Sequence, residues 1–264
     1  MSEKFDTDVS VFSTRFLETA IKNRMNLSAT NALPDYVQKL TYDLSEPEML
    51  INSLSNSYST FFRNPLTFAL LHQVILPKIV SEKVKNNESE IRIWSAGCAA
   101  GQEPYSIAIL IDDLLNNNLI AIRHQIFATD NSASELLKAE RGNYDYEAVK
   151  TIPLNFIKNY FSKTENTYTI LEKIKSKVEF SAYDLLNNVS SAPPASIYGD
   201  FDLVMCSNVL FYYKPEVQKA IIEKFRKTIR KGGIFVTGEA ETSILNSAGG
   251  FRNLIPPAPI YIKR

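Results

Sequence analysis

A strand, a glycine-containing turn and a helix follow one another between residues 91 and 109, and this order constrains the fold most. The segment IRIWSA is a short apolar run with β-branched residues, which is typical of a buried strand. The turn GCAAG contains only small residues, and its glycines let a ligand approach the backbone. Apolar residues then recur at helical spacing. The helix is predicted to begin at Pro104 with Glu103 as its cap, which makes the first unit of a nucleotide-binding α/β domain.

The residues of the turn also limit the ligand. A dinucleotide fingerprint reads G-x-G-x-x-G and places pyrophosphate on the helix N-terminus, whereas the spacing here is G-x-x-x-G. The carboxylate of Glu103 would repel phosphate. It suits a ligand with hydroxyls, an amine or a positive charge, and S-adenosylmethionine fits that description. Gly97 and Glu103 are therefore candidate cofactor-binding residues, and a nicotinamide-dependent oxidoreductase is the disfavoured alternative.

Composition excludes several classes of protein. The chain has 264 residues, 45% of them hydrophobic, which suffices for one large domain with or without a small one. Its 29 basic and 29 acidic residues balance, so no global field favours nucleic acid or an acidic membrane. No apolar run approaches the roughly 20 residues of a membrane span, and the polar start MSEKFDTDVS is unlike a signal peptide. Two cysteines and two histidines provide neither a disulfide framework nor metal-ligand spacing, so we expect no metal and a cytoplasmic location.

The chain before the first strand is predicted to form a small helical domain and a linker. Residues 1–55 contain Phe12, Phe16 and Ala20 at intervals of four, which gives one apolar face. Their five basic and eight acidic residues make this region net acidic. Residues 56–65 form the linker, in which one of two adjacent phenylalanines is expected to anchor the junction while Arg63 points into the cleft.

Strands alternate with helices through residues 66–264, which predicts a mostly parallel, doubly wound sheet. Further strands are predicted at 126–130, 178–182, 201–206, 234–238 and 258–262. The second strand ends at Asp130, where a carboxylate can accept both hydroxyls of a ribose. The alternative is that Asp130 caps the following helix. A helix from Pro215 to about Arg230 is predicted to be closed by glycines 232 and 233.

An aromatic- and threonine-rich insertion of about 142–177 separates the second and third strands. Its segment Thr167–Ile170 is typical of a small hairpin strand. An insertion of this length is expected to carry function or recognition.

Six motifs in order resemble one known family. They are TFFRN at 60–64, IWSAGCAAGQEPYSIA at 93–108, FATD at 127–130, VEFSAYDLL at 178–186, CSNVLFYY at 206–213 and KGG with TGEAE at 231–241. The whole chain is similar to the CheR-type chemotaxis methyltransferases. The resemblance implies a Rossmann-like methyltransferase sheet with a helical N-terminal domain and a β insertion. It also implies S-adenosylmethionine as cofactor, S-adenosylhomocysteine as product, and glutamate side chains of a chemoreceptor-like protein as methyl acceptors.

The same resemblance implies roles for single residues. Glu103 would meet the methionine end of the cofactor, Asp130 the ribose, and Asp184 with Leu185 the adenine. The full set of implied cofactor-binding residues is Ser57, Ser59, Arg63, Gly97, Glu103, Asp130, Asp184, Leu185, Ser207 and Asn208. Arg63 and Tyr212 are the implied catalytic residues, as a charge clamp and a hydrogen-bond donor in the pocket that receives the substrate glutamate.

Several positions depart from the family pattern. Ser207 stands where an arginine is usual, so one positive charge is missing beside the reaction site. Ser57 stands where the family usually has an asparagine, and Glu239 stands where it often has a histidine. The N-terminal region is acidic here, whereas the corresponding domain is basic in several members. Two alternatives to the receptor methyltransferase follow: a catalytically impaired regulatory protein that binds S-adenosylmethionine, and a methyltransferase for another nucleophile. The partner is expected to be a signalling protein, not nucleic acid or a membrane, and the oligomeric state is left open with a monomer expected.

Overall fold

The computed structural model describes residues 8–54, 59–187, 189–196 and 198–264. Its strands are β1 Glu90–Ala96, β2 Arg123–Asp130, β3 Asn143–Tyr144, β4 Phe161–Thr164, β5 Thr167–Ile170, β6 Val178–Ala182, β7 Phe201–Cys206, β8 Ile229–Thr237, β9 Phe251–Asn253 and β10 Ile260–Lys263. Its α-helices are α1 Thr14–Leu27, α2 Leu33–Tyr42, α3 Glu46–Leu54, α4 Pro65–Leu70, α5 Leu76–Lys85, α6 Gln102–Asn117, α7 Ala133–Arg141, α8 Tyr146–Val149, α9 Leu154–Tyr160, α10 Glu172–Lys175, α11 Pro215–Thr228 and α12 Thr242–Ala248.

A seven-stranded sheet forms the centre of the molecule, in the order β6-β2-β1-β7-β8-β10-β9. The five strands from β6 to β8 are parallel, and β10 is antiparallel to both of its neighbours. The predicted mostly parallel α/β sheet is therefore confirmed.

The apolar run of β1 reflects burial on both faces of the sheet. Ile91 and Ile93 pack into one hydrophobic cluster, whereas Trp94 and Ala96 pack into the other. Side chains alternate between the faces of a strand, so a central strand covered by helices on both sides is apolar throughout. Trp94 is completely buried, and its indole N–H donates to the hydroxyl of Thr129, 2.9 Å away in β2.

Two helix ends differ from the prediction. Helix α6 begins at Gln102 with Gly101 as its N-cap, not at Pro104 with Glu103 as cap, because Gly101 is left-handed (φ +88°) and turns the chain earlier. Helix α11 ends at Thr228, and Ile229 is already extended, so Gly232 and Gly233 lie inside β8 and do not cap the helix. Gly233 is required there for another reason: a Cβ would come within 2.6 Å of a methyl group of Ile229.

The described part of the N-terminal region contains helices α1, α2 and α3, and α3 contacts both of the others. Phe12 precedes α1 and pairs with Tyr213, which precedes α11, in an isolated β-bridge, so it is not part of the helical face that was predicted. The insertion contains a separate sheet in the order β3-β5-β4, and β5 has the bounds predicted for the hairpin strand. Among the described residues, no helix is both long and apolar enough to cross a membrane.

Candidate functional site

A cleft of about 560 Å³ lies at the carboxyl ends of the parallel strands. Parallel strands place these ends at one edge of the sheet, where α/β proteins bind their ligands. The cleft brings together all the predicted site residues that the structure describes: Ser59, Arg63, Gly97, Glu103, Asp130, Asp184, Leu185, Ser207, Asn208 and Tyr212. Ser57 lies outside the described residues.

The glycine turn after β1 is held tightly against β2. The backbone N–H groups of Gly97 and Cys98 both donate to the carbonyl of Thr129, at 2.8 and 2.9 Å. Gly97 is left-handed (φ +76°), and a Cβ on it would come within 2.6 Å of a methyl group of Val209. Glycine is therefore required here both by the backbone conformation and by the close approach of the loop after β7.

Asp130 organises the turn from the end of β2. Its Oδ2 accepts a hydrogen bond from the N–H of Ala99 at 2.8 Å, and its Oδ1 accepts one from Ser132 at 2.9 Å. Burial raises the pKa of this carboxyl. Ser132 caps α7, so the alternative in which Asp130 caps that helix is wrong. Each carboxylate oxygen retains capacity to accept a further hydrogen bond, which is what a ribose would require.

Glu103 lies at the opposite side of the glycine turn, in the first turn of α6. Its Oε1 accepts a hydrogen bond from the hydroxyl of Ser95 at 2.7 Å. Burial raises the pKa of Glu103 to about 7, although hydrogen bonding and the positive charge of Arg63 act in the other direction. Close by, the buried hydroxyl of Ser207 helps to lower the pKa of Glu103, but it meets no partner at full hydrogen-bond geometry among the described residues. An ammonium or sulfonium ligand would stabilise the carboxylate, and a polar ligand atom would satisfy the serine, so both residues fit the methionine part of S-adenosylmethionine.

The third side of the cleft follows β6. The backbone N–H of Tyr183 donates to the carbonyl of Asp130 at 3.0 Å, which joins this loop to β2. Leu185 is buried and Asp184 is exposed, with one carboxylate oxygen accepting the N–H of Leu186 at 2.8 Å. An apolar side chain beside a polar rim suits a flat heteroaromatic base, which has apolar faces and polar edges.

The N-terminal region forms a wall of the same cleft. Phe16 of α1 contacts the ring of Tyr212, with 4.6 Å between the centroids, and Phe12 stacks on Tyr213 at 5.5 Å. Ile51 and Leu54 of α3 also line the cleft. The N-terminal helices therefore cover the side where Tyr212 lies.

The linker is fixed to the insertion. Phe61 is buried and packs edge-on against Tyr144 and Phe161, with centroid distances of 4.8 and 5.6 Å. The prediction that one of the two phenylalanines anchors the junction is confirmed for Phe61. Arg63 then lines the cleft, as expected.

Two acidic residues contribute to the site without having been assigned a role from the sequence. Glu239 accepts a hydrogen bond from the side chain of Asn64 at 2.8 Å, which ties the linker to the end of β8. Glu241 is completely buried and accepts hydrogen bonds from the loop after β7. The only sequence signal for either was the motif TGEAE, in which both glutamates stand directly after a strand.

The sheet, the glycine turn and the carboxylates of this cleft define an S-adenosylmethionine-dependent methyltransferase. Residues 57–254 match the family described as "CheR methyltransferase, SAM binding domain". The chain belongs to the CheR methyltransferase family.

Relatives of the chain carry related names. The chain is 31% identical over 253 residues to "Chemotaxis protein methyltransferase 1" of Pseudomonas aeruginosa, which covers 94% of this chain and 88% of that protein. It is 29% identical over 242 residues to a "Chemotaxis protein methyltransferase" of Borreliella burgdorferi, with 90% and 83% covered. It is also 27% identical over 251 residues to "Probable biofilm formation methyltransferase WspC" of Pseudomonas aeruginosa, with 94% and 57% covered.

Proposed function

We propose that this protein transfers a methyl group from S-adenosylmethionine to glutamate side chains of a chemoreceptor-like signalling protein in the cytoplasm, forming glutamate methyl esters. The observation that carries the proposal is that Arg63 and Tyr212 line the same cleft as the carboxylates Glu103 and Asp130. One cavity thus offers a cofactor-binding side and an acceptor-binding side. The names of the relatives support a receptor of the chemotaxis type as the acceptor.

The cofactor-binding side divides into three parts. Glu103 and the hydroxyl of Ser207 would hold the methionine end, with Asn208 beside them, and Asp130 would hold the ribose. Asp184 and Leu185 would hold the adenine, and Gly97 lets the ligand approach the backbone. Ser59 and Arg63 would close over the cofactor from the linker, joined by Ser57. When bound, S-adenosylmethionine supplies a methyl group activated by the positively charged sulfur.

The acceptor side needs a clamp more than a base. A glutamate side chain has a pKa of roughly 4.3 and is already ionised at neutral pH, so no group has to remove a proton. Arg63 would hold the incoming carboxylate by a charge-assisted hydrogen bond, and the phenol of Tyr212 would donate a second one. The wall formed by the N-terminal helices would exclude water and hold the acceptor in line with the methyl group.

This assignment also gives the parts of the chain their tasks. We propose residues 1–55 as an N-terminal domain that covers the acceptor side, 56–65 as the linker that supplies Arg63, and 66–264 as the cofactor-binding domain. The small sheet of the insertion at about 142–177 supports the linker through Phe61.

The experiment measures binding and transfer separately. Calorimetric titration with S-adenosylmethionine and S-adenosylhomocysteine is made on wild type and on Asp130→Ala, followed by transfer of tritiated methyl groups to receptor fragments. We expect micromolar binding that Asp130→Ala abolishes, and transfer that Arg63→Met lowers by roughly 30-fold or more, since a hydrogen bond to a charged group contributes about 2 kcal/mol. Fragments whose glutamates are replaced by glutamine are the acceptor control.

Each result has a definite meaning for the proposal. Unchanged binding by Asp130→Ala would contradict the ribose role. Cofactor binding without transfer to any fragment would favour the alternative of a catalytically impaired regulatory protein, which is motivated by the serine at position 207. Transfer that persists on glutamine-substituted fragments would identify another nucleophile.

A further inference from the structure

We propose that Glu241 is a positioning residue for methyl transfer: its buried carboxylate holds the segment Ser207–Tyr212 in the geometry that the acceptor needs. This inference rests on the proposed function, in which Ser207 and Asn208 face the cofactor and Tyr212 faces the acceptor. Glu241 itself lies behind the cleft, completely buried, and is not among the residues that line it.

The two oxygens of Glu241 serve different parts of the site. Oε2 accepts three hydrogen bonds, from the N–H of Asn208 at 3.0 Å, the N–H of Gly238 at 2.8 Å and the hydroxyl of Thr237 at 2.5 Å. Oε1 accepts one, from the N–H of Leu210 at 2.7 Å. One carboxylate therefore ties the loop after β7 to the end of β8.

The segment needs this support because its backbone is unusual. Asn208 is left-handed (φ +63°), a conformation that costs about 1 kcal/mol in a residue with a side chain. A 3-10 turn follows immediately at Leu210–Tyr212, and the N–H of Leu210 cannot be satisfied within that short turn. Gly238 fits closely against the same place, since a Cβ on it would come within 3.0 Å of the backbone nitrogen of Asn208. Packing and hydrogen bonds together fix where Ser207 and Tyr212 lie.

The asymmetry of the two oxygens predicts what Glu241→Gln does. The amide oxygen will take the place where three donors converge, because the other orientation sets an NH₂ group against two backbone N–H groups. The NH₂ group then faces the N–H of Leu210, and two donors oppose each other. The cofactor side of the segment stays anchored, whereas the 3-10 turn that carries Tyr212 loses the hydrogen bond at its first residue. The carbonyl groups of that turn are still held by the N–H of Ser13 and the side chain of Gln218.

We therefore expect Glu241→Gln to separate binding from transfer. Affinity for S-adenosylhomocysteine should stay within about threefold of wild type, and kcat for transfer to receptor fragments should fall by at least about tenfold. In hydrogen exchange, the Leu210 amide should exchange at least about tenfold faster in the variant, while the amides of Asn208 and Gly238 remain slow.

Asp202→Asn is the matched control. Asp202 is also completely buried and lies at the other end of the same strand, β7. Its carboxylate accepts a hydrogen bond from the N–H of Arg92 at 2.9 Å and pairs with Lys83 at 2.9 Å and Arg230 at 2.6 Å. Asp202→Asn should lower the melting temperature but leave kcat and the exchange rate of the Leu210 amide within about twofold of wild type. Both are measured at a temperature where the variant is folded.

The outcomes decide the inference independently of the proposed function. Wild-type kcat in Glu241→Gln, or an equal loss of kcat in Asp202→Asn, would overturn it. Absence of transfer by wild type itself would refute the proposed function; unchanged exchange of the Leu210 amide in Glu241→Gln would then still overturn the positioning role. If Glu241→Gln does not fold, exchange in the wild type decides, because amides of Asn208 and Leu210 that exchange as fast as exposed ones would exclude an anchored segment.

Discussion

The hydroxyl of Tyr144, in the insertion, donates a hydrogen bond to the carbonyl of Ala100, in the glycine turn, at a distance of 2.7 Å. The same tyrosine ring packs edge-on against Phe61 of the linker. The small sheet of the insertion is thus in direct contact with two parts of the cleft, the turn after β1 and the segment that carries Arg63.

Removing this hydroxyl should loosen the cofactor turn. Tyr144→Phe keeps the ring against Phe61 but leaves the half-buried carbonyl of Ala100 without its donor, which costs about 1 kcal/mol. We expect the dissociation constant for S-adenosylhomocysteine to rise about fivefold, measured by calorimetry. Tyr168→Phe is the control, since Tyr168 lies opposite Tyr144 in the same small sheet; an equal effect of both variants would show that the sheet matters only as a whole.

Gly97 should tolerate no side chain. Gly97→Ala combines a left-handed backbone with an overlap against Val209, so we expect a loss of about 3 kcal/mol in the free energy of unfolding and at least tenfold weaker cofactor binding. Gly232 provides the comparison, because it is also left-handed (φ +73°) but a Cβ there would meet open space.

Gly232→Ala should therefore cost only about 1 kcal/mol in urea unfolding and leave cofactor affinity unchanged. The double variant Gly97→Ala with Val209→Ala should recover part of the lost stability. Failure of the double variant to recover any would mean that backbone strain alone, not the approach of Val209, requires glycine at position 97.

Cofactor affinity should depend on pH through Glu103. Its pKa of about 7 lies above the ordinary value near 4.5, so burial disfavours the carboxylate, and the protonated form is populated below pH 7. In the proposed arrangement, the positively charged cofactor binds the carboxylate form of Glu103. Below pH 7 binding must therefore release a proton, and affinity for S-adenosylmethionine should rise about tenfold from pH 6 to pH 8, since one pKa unit corresponds to a factor of ten.

Glu103→Gln tests the origin of that pH dependence. The variant should bind S-adenosylmethionine more weakly at pH 8 and with little change between pH 6 and pH 8, measured by titration in buffers of differing ionisation enthalpy to count protons. A pH dependence that survives in the variant would assign it to another group.

Most of the sheet follows directly from the sequence because its central strands are buried on both faces. A short apolar run such as the one at Ile93 and Trp94 therefore indicates a central strand of a parallel sheet. Strand β9 was missed because its three residues form an edge strand with one buried side chain, Phe251. The π-turn Leu71–Ile75 between α4 and α5 was missed as well, since it interrupts a continuous helical pattern without a glycine.

The residues of the cleft could be predicted only in part. Residues such as Asp130 stand directly at strand ends, where a parallel sheet collects them. The role of Glu241 depends on contacts with Asn208 and Leu210, which are 33 and 31 positions away, and no local pattern records that proximity. The wall formed by the N-terminal helices could not be predicted either, because an apolar side chain such as Phe16 does not specify which residue it will cover.

An ion pair between the half-buried Arg24 and the buried Glu46 should stabilise the N-terminal helices. Arg24 of α1 donates two hydrogen bonds of 2.9 Å to Glu46 at the start of α3, and the hydroxyl of Tyr36 donates a third, of 2.8 Å. Hydrogen bonding by Arg24 lowers the pKa of Glu46. A carboxyl with a lowered folded-state pKa stabilises the fold above its ordinary pKa, and this contribution is lost as the pH falls through the folded value.

Arg24→Ala leaves the carboxylate of Glu46 buried and unpaired, so we expect the free energy of unfolding at pH 7 to fall by about 3 kcal/mol. The loss should shrink near pH 3.5, because protonation of Glu46 then removes the unpaired charge. Glu223→Gln, which breaks an exposed pair with Arg226, is the control and should cause no resolvable change. Urea unfolding followed by circular dichroism at both pH values measures each difference in the free energy of unfolding. If the loss in Arg24→Ala did not depend on pH, the packing of the arginine, not its charge, would be what stabilises these helices.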